Sequence, residues 1–134
     1  MHSKPIVRSE SVYITRFISS ATVAAYPGMP SLIMKYALAG CPPDAFAADG
    51  QLWGNPTYNW KVIEDDGFQW WIWRVRRNLA LFDVTRIDHF RGFQAYWEIP
   101  EGEETAITGK WKKGPRMKLF KAIREALGDV PIIA

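Results

Sequence analysis

Cysteine and histidine are scarce in this chain of 134 residues, which contains one cysteine and two histidines. A single cysteine cannot form an intramolecular disulfide, so a reducing compartment such as the cytoplasm is the expected location. One cysteine and two distant histidines also lack the clustered ligand spacing of a zinc site. We therefore expect neither a bound metal nor any other cofactor.

Long apolar runs and blocks of one charge are missing as well. Proline, glycine or charged residues interrupt every apolar stretch well before the roughly 20 residues that a membrane-spanning helix needs. The net charge of +3 is mildly basic, but the Lys and Arg residues are scattered among acidic ones. Neither a membrane nor a nucleic acid is therefore an expected partner.

The first 39 residues differ in composition from the rest of the chain. They are basic and rich in hydroxyl side chains, and Glu10 is their one acidic residue. A transit peptide has this composition, which would direct the protein to a plastid in a plant or alga. The alternative that we favour is a poorly ordered, non-native start. We assign no functional residue to 1–39 and treat 40–134 as a separate segment.

Residues 40–134 predict an alternation of helices and strands. Proline and glycine recur through 40–60, which predicts a long loop rich in aromatic residues. The other predicted segments are a short helix capped by Asn59, helices over 67–81 and 115–127, a partly helical stretch over 90–97, a loop over 99–114, and strands ending at Asp88 and over 130–134. Helices alternating with apolar strands predict an α/β fold with a parallel sheet.

Asp88 ends the apolar strand-like run and is the most informative carboxylate in the chain. Side chains alternate along a strand, so Arg86 and Asp88 should lie on the same side. Active sites of parallel sheets lie at the C-terminal ends of the strands, where Asp88 is predicted. Taken alone, however, such a pair is more often a structural salt bridge than a nucleophile with its neighbouring cation.

Three motifs together resemble the 4-alpha-glucanotransferases, also called amylomaltases or disproportionating enzymes, of glycoside hydrolase family 77. The motifs are Gly50–Pro56 (GQLWGNP), Arg86–Phe93 (RIDHFRGF) and Tyr96–Pro100 (YWEIP). The resemblance covers about residues 40–134. It implies a partial (β/α)8 TIM barrel around the fourth and fifth barrel strands, with an aromatic loop on the acceptor side and no cofactor.

The resemblance also implies roles for five residues. Asp88 would be the catalytic nucleophile and Arg86 the catalytic-site cation that favours its ionised form. Trp53 and Asn55 would bind substrate from the acceptor-side loop, and His89 would hydrogen-bond to the donor sugar. A histidine considered alone is more often structural, so the role of His89 depends on the motif.

The implied reaction transfers alpha-1,4-glucan segments between maltooligosaccharides, with glucose as an acceptor, by a retaining double displacement. The family's glutamate acid/base and a later aspartate have no counterpart in the sequence, and we expect glutamate to follow Ala134. The chain alone is therefore expected to be an inactive internal fragment. The alternative function is that of a non-catalytic glucan-binding piece or a remnant.

Overall fold

A computed structural model describes residues 12–16 and 32–134, which form two β-sheets and several helices. The strands are β1 (Val12–Arg16), β2 (Ile33–Cys41), β3 (Gln51–Tyr58), β4 (Val84–Asp88), β5 (Ala95–Pro100), β6 (Lys110–Lys113) and β7 (Ile132–Ile133). The helices are α1 (Trp60–Asp65), α2 (Gln69–Leu81) and α3 (Met117–Leu127), with a 3-10 helix over Phe90–Phe93. The predicted α/β class is confirmed, and the predicted strand ends at Asp88 as expected.

The parallel sheet has the strand order β1-β4-β7, so β4 lies in the middle. Thr85 and Ile87 of β4 are buried, whereas Arg86 between them is exposed. Helices α2 and α3 pack against each other, and Val75 and Leu119 join Ile87 in the core. The buried face of β4 therefore anchors the strand and leaves its other face available to a ligand.

The second sheet is antiparallel, with the order β3-β2-β5-β6, and it corrects two predictions. The predicted aromatic loop over 40–60 contains β3, and the predicted loop over 99–114 contains β6, whereas the stretch over 90–97 is partly helical as predicted, with a 3-10 helix over Phe90–Phe93. Glycine and proline suggested loops, but β3 is an edge strand, where Pro56 needs no ladder hydrogen bond from its nitrogen. Gly54 has a φ of +75° in the irregularly paired part of β3.

The predicted boundary between residues 39 and 40 falls within β2, which begins at Ile33 and ends at Cys41. Strand β1 also belongs to the N-terminal segment, and it pairs with β4 in the parallel sheet. The prediction of poor order for the remainder of 1–39 lies outside the described residues. No described helix is long and apolar enough to cross a membrane.

An aromatic core joins the two sheets. Trp71 of α2 is fully buried and lies 5.6 Å from the ring of Tyr58 in β3 and 5.4 Å from that of Phe93 in the 3-10 helix. Helix α1 contributes Trp60 and begins as predicted, because the Asn59 side chain accepts a hydrogen bond from the Val62 amide. Tyr58 of β3 and Phe93 of the segment after Asp88 thus both contact helix α2. These contacts fix the two parts of the chain relative to each other.

Candidate functional site

The predicted pair at the end of β4 is present. Arg86 Nη2 lies 3.4 Å from Asp88 Oδ1, so the two side chains share one side of the strand as predicted. Their side chains are 51% and 39% exposed. An ion pair this exposed contributes little to stability. The carboxylate is accessible to a ligand and has a cation beside it.

His89 turns the chain sharply after Asp88. Its φ of +54° is in the left-handed region, which side chains other than glycine seldom adopt. Its carbonyl accepts a hydrogen bond of 2.9 Å from the Gly92 amide, which begins the 3-10 helix. This turn sends the backbone away from the sheet directly after the candidate nucleophile.

Trp53 of β3 lies against His89, although 35 residues separate them in sequence. The ring centroids are 5.0 Å apart and the planes meet at 85°, an edge-to-face contact. The Trp53 indole also donates a hydrogen bond of 3.0 Å to Gln51 Oε1. Asn55 is half-buried two residues further along β3. The structure therefore brings Trp53 against His89, the residue that follows Asp88, and places Asn55 on the same strand as Trp53.

The imidazole of His89 is biased towards its neutral form. Partial loss of water around the ring, followed by the positive charge of Arg91, lowers the pKa of His89 from its ordinary value of 6.5. A neutral imidazole has one nitrogen that donates and one that accepts hydrogen bonds. At neutral pH His89 can therefore both give a hydrogen bond to a ligand hydroxyl and receive one.

We expect an NMR titration of His89 to give a midpoint below 6.5. Replacing Arg91 by Gln removes a positive charge and should raise that midpoint. Because the unfolded chain gains the proton first, stability should fall as the pH drops through about 6.5, and His89→Gln should reduce this loss. The chain has two histidines, so the signal lost in His89→Gln identifies His89. A midpoint at or above the ordinary value would contradict this expectation.

Arg91, the second arginine of the Asp88 motif, contacts a residue that the sequence did not single out. Its guanidinium carbon lies over the ring of Trp111 in β6, 5.0 Å from the centroid. Trp111 in turn lies 5.4 Å from Trp97 of β5. This stacking supports the loop after β4. The role of Trp111 could not be found without the pairing of β5 with β6.

The sequence alone suggests that Glu98, next to a predicted loop, is a solvated charge, and the structure shows that it is not. It lies in β5 with a side chain only 16% exposed, and its Oε2 accepts a hydrogen bond of 3.1 Å from the Thr57 hydroxyl. Lys112 Nζ is 3.7 Å from the other carboxylate oxygen. Burial, and then the Glu98 charge and its hydrogen bond, raise the pKa of Tyr96. Glu98 of β5 thus contacts side chains of both β3 and β6. All three strands belong to the sheet that contains Trp53.

Comparison with known proteins gives concordant matches. The family model for 4-alpha-glucanotransferase, glycoside hydrolase family 77, matches residues 12–134. The 4-alpha-glucanotransferase of Streptococcus pneumoniae serotype 4 is 57% identical over 97 residues, covering 72% of this chain and 19% of that protein. The enzyme of the same name from Thermus thermophilus is 49% identical over 123 residues, covering 86% of this chain and 24% of that protein.

A solved structure is also similar. The amylomaltase from Streptococcus agalactiae in complex with acarbose has a TM-score of 0.81 and 42% identity, covering 92% of this chain and 26% of that one. The chain thus spans about a fifth to a quarter of the length of the relatives that it matches. The family match begins at residue 12. It therefore includes β1 and the whole of β2, although the motif resemblance covered only about residues 40–134.

Proposed function

Because the chain belongs to the 4-alpha-glucanotransferase family, we propose that it carries the nucleophile of an enzyme that transfers alpha-1,4-glucan segments between maltooligosaccharides. Glucose would be one of the acceptors. The observation that supports this most strongly is the accessible Arg86–Asp88 pair at the C-terminal end of β4, followed directly by His89, which contacts Trp53. The acarbose bound by the structural relative is consistent with a ligand of this class.

The proposed reaction is a retaining double displacement centred on Asp88. A general acid protonates the glycosidic oxygen while the Asp88 carboxylate attacks the anomeric carbon, which forms a covalent glucosyl ester and releases the shortened glucan. A hydroxyl of an acceptor sugar then attacks that carbon, gives its proton to the same acid/base group and frees Asp88. Arg86 would favour the ionised, nucleophilic form of Asp88 between these steps.

The geometry of β7 suggests where the acid/base group stands. Strand β7 pairs Ile133 with Arg86 in parallel, so the position level with Asp88 comes two residues beyond Ile133. Neighbouring strands lie about 4.8 Å apart, close to the roughly 5 to 5.5 Å between the two carboxyls of a retaining enzyme. We propose a glutamate acid/base acting from that position, with β4 and β7 as the fourth and fifth strands of a (β/α)8 barrel.

Trp53 is proposed to bind a glucose ring of the acceptor, with Asn55 and His89 supplying hydrogen bonds. We expect Trp53→Ala to weaken maltooligosaccharide binding by about twofold to thirteenfold, because an aromatic contact contributes roughly 0.5–1.5 kcal/mol. The binding is measured by NMR titration of residues 1–134. Trp73→Ala removes an indole that is 45% exposed on α2 and serves as the matched control. Equal affinities of the two variants would contradict the role of Trp53.

A chimera tests the proposed function as a whole. Residues 12–134 replace the matching segment of the Thermus thermophilus relative, and the release of glucose and longer oligosaccharides from maltotriose is followed. We expect readily measurable transfer, with the unmodified relative as the positive control. A chimera that unfolds cooperatively and binds maltooligosaccharides without transferring them would favour the non-catalytic, glucan-binding alternative. A folded chimera that does neither would contradict the proposal.

A further inference from the structure

The 3-10 helix that follows His89 is held from two sides. On one side, Phe93 is buried and packs 5.4 Å from Trp71 and 5.2 Å from Phe120. On the other side, Arg91 reaches β6 and stacks on Trp111. The first contact belongs to the core of the molecule. The contact between Arg91 and Trp111 lies at the surface, so burial in the core does not explain it.

Trp111 is itself held in a defined orientation. It is the register partner of Trp97 across β5 and β6, and their planes meet at 74°. The Trp97 indole donates a hydrogen bond of 2.8 Å to the carbonyl of Ala106, which is fully buried. Trp111 nevertheless remains 49% exposed, so core packing does not account for it. The arrangement presents a fixed indole to the guanidinium of Arg91.

The conformation of His89 explains why such an anchor is useful. A non-glycine residue with a positive φ is disfavoured and persists only where the surrounding structure holds it. Arg91 lies two residues after His89, within the same 3-10 turn. Fixing Arg91 therefore restrains the backbone of His89, and with it the edge-to-face contact between His89 and Trp53.

We propose that Trp111 is a positioning residue of the candidate site: by holding the Arg91 guanidinium, it keeps His89 in its left-handed conformation against Trp53. Trp111 lies outside the motif that contains Asp88 and outside the strand that contains Trp53. The lowered pKa of His89 supports this placement, since the Arg91 charge contributes to it. The other charged side chains of the motif are those of Arg86 and Asp88, and Trp111→Ala leaves both of them unchanged.

NMR of residues 1–134 tests the proposal without any sugar. In Trp111→Ala we expect the indole N–H signal of Trp53 to shift and the titration midpoint of His89 to move towards its ordinary value of 6.5. Trp111→Phe keeps an aromatic ring under the cation and should restore both signals. Trp73→Ala removes a comparably exposed indole, 45% against 49%, and should change neither.

A double-mutant cycle separates positioning from general loss of structure. Glycine adopts positive φ freely, so in a His89→Gly background Trp111→Ala should no longer move the Trp53 signal. Should Trp111→Ala not fold, Arg91→Gln in the two backgrounds supplies the same comparison with the indole intact. The proposal is overturned if the Trp53 signal is unchanged in the folded variant, or if it moves equally in the His89→Gly background.

Maltooligosaccharide binding adds a functional readout that rests on the proposed function. Trp111→Ala should weaken it by about twofold to fivefold, the range of an exposed cation–π contact. Because the NMR signals require no glucan, an absence of sugar binding in every variant would count against the proposed function alone. Unchanged Trp53 and His89 signals would count against the role of Trp111 alone.

Discussion

Replacing Asp88 by Asn in the chimera should lower the rate of transfer from maltotriose by about 10⁴-fold or more, in line with the removal of one member of a cooperating catalytic set. The amide nearly preserves the shape of the side chain but lacks the negative charge that attacks the anomeric carbon. The pair with Arg86 is exposed, so losing it should change stability little. The defect should therefore be in the chemical step, with the chimera still folded.

Asp65→Asn is the matched control for this change. Asp65 is an exposed carboxylate that pairs with Lys61 in α1, and its replacement should leave transfer almost unaffected. The rates are measured as glucose released at saturating maltotriose, and folding is checked by thermal unfolding. Substantial transfer by the Asp88→Asn chimera, comparable to that of the Asp65→Asn chimera, would exclude Asp88 as the nucleophile.

Trp71→Ala should destabilise the fold by about 3–5 kcal/mol, the usual cost of deleting a large aromatic side chain from a core. Trp71 is fully buried and lies within 6.2 Å of the rings of Trp60, Trp70, Tyr58 and Phe93. Small domains have a total stability of about 5–15 kcal/mol, so this loss is a large share of it. Urea denaturation followed by circular dichroism measures the change.

The same substitution two residues later in α2 provides the comparison. Trp73 is 45% exposed, and Trp73→Ala should cost much less than Trp71→Ala. Tyr58 and Phe93 contact Trp71 from the two parts of the chain that form the site, so Trp71→Ala should also disturb the His89 and Trp53 signals before the protein unfolds. Equal losses of stability in the two variants would contradict the assignment of the core to the face of α2 that contains Trp71.

Local sequence signals were sufficient for α1, α2 and β4, but not for β1, whose place in the parallel sheet depends on its pairing with β4. The apolar run before Asp88, the Asn59 cap and the helical spacing from 67 to 81 each depend on residues close together in the chain. Each gave the right element, and α2 begins two residues later than predicted, at Gln69. Alternation along β4 was also sufficient to place Arg86 and Asp88 on the same side. These features are determined by backbone periodicity, which a single sequence displays.

The antiparallel sheet could not be predicted because its strands are defined by distant partners. Gly54 and Pro56 are typical loop residues, and only the position of β3 at the edge of a sheet makes them acceptable in a strand. The contact between Trp53 and His89 depends on that sheet and on the left-handed turn at His89. The contact of Glu98 with Thr57 and that of Trp111 with Trp97 also depend on the pairing of the antiparallel strands. The motif resemblance suggested that Trp53 and His89 belong to one site, but not how they meet.

The covalent state of Asp88 during turnover is the most direct test. The chimera is mixed with a maltooligosaccharide donor, quenched rapidly in acid and digested, and its peptides are analysed by mass spectrometry. The mechanism proposed above predicts a glucosyl or longer glucan adduct on the carboxylate of Asp88, absent from the Asp88→Asn chimera. Transfer that proceeds with an adduct on a different carboxylate would contradict the central claim that Asp88 is the nucleophile.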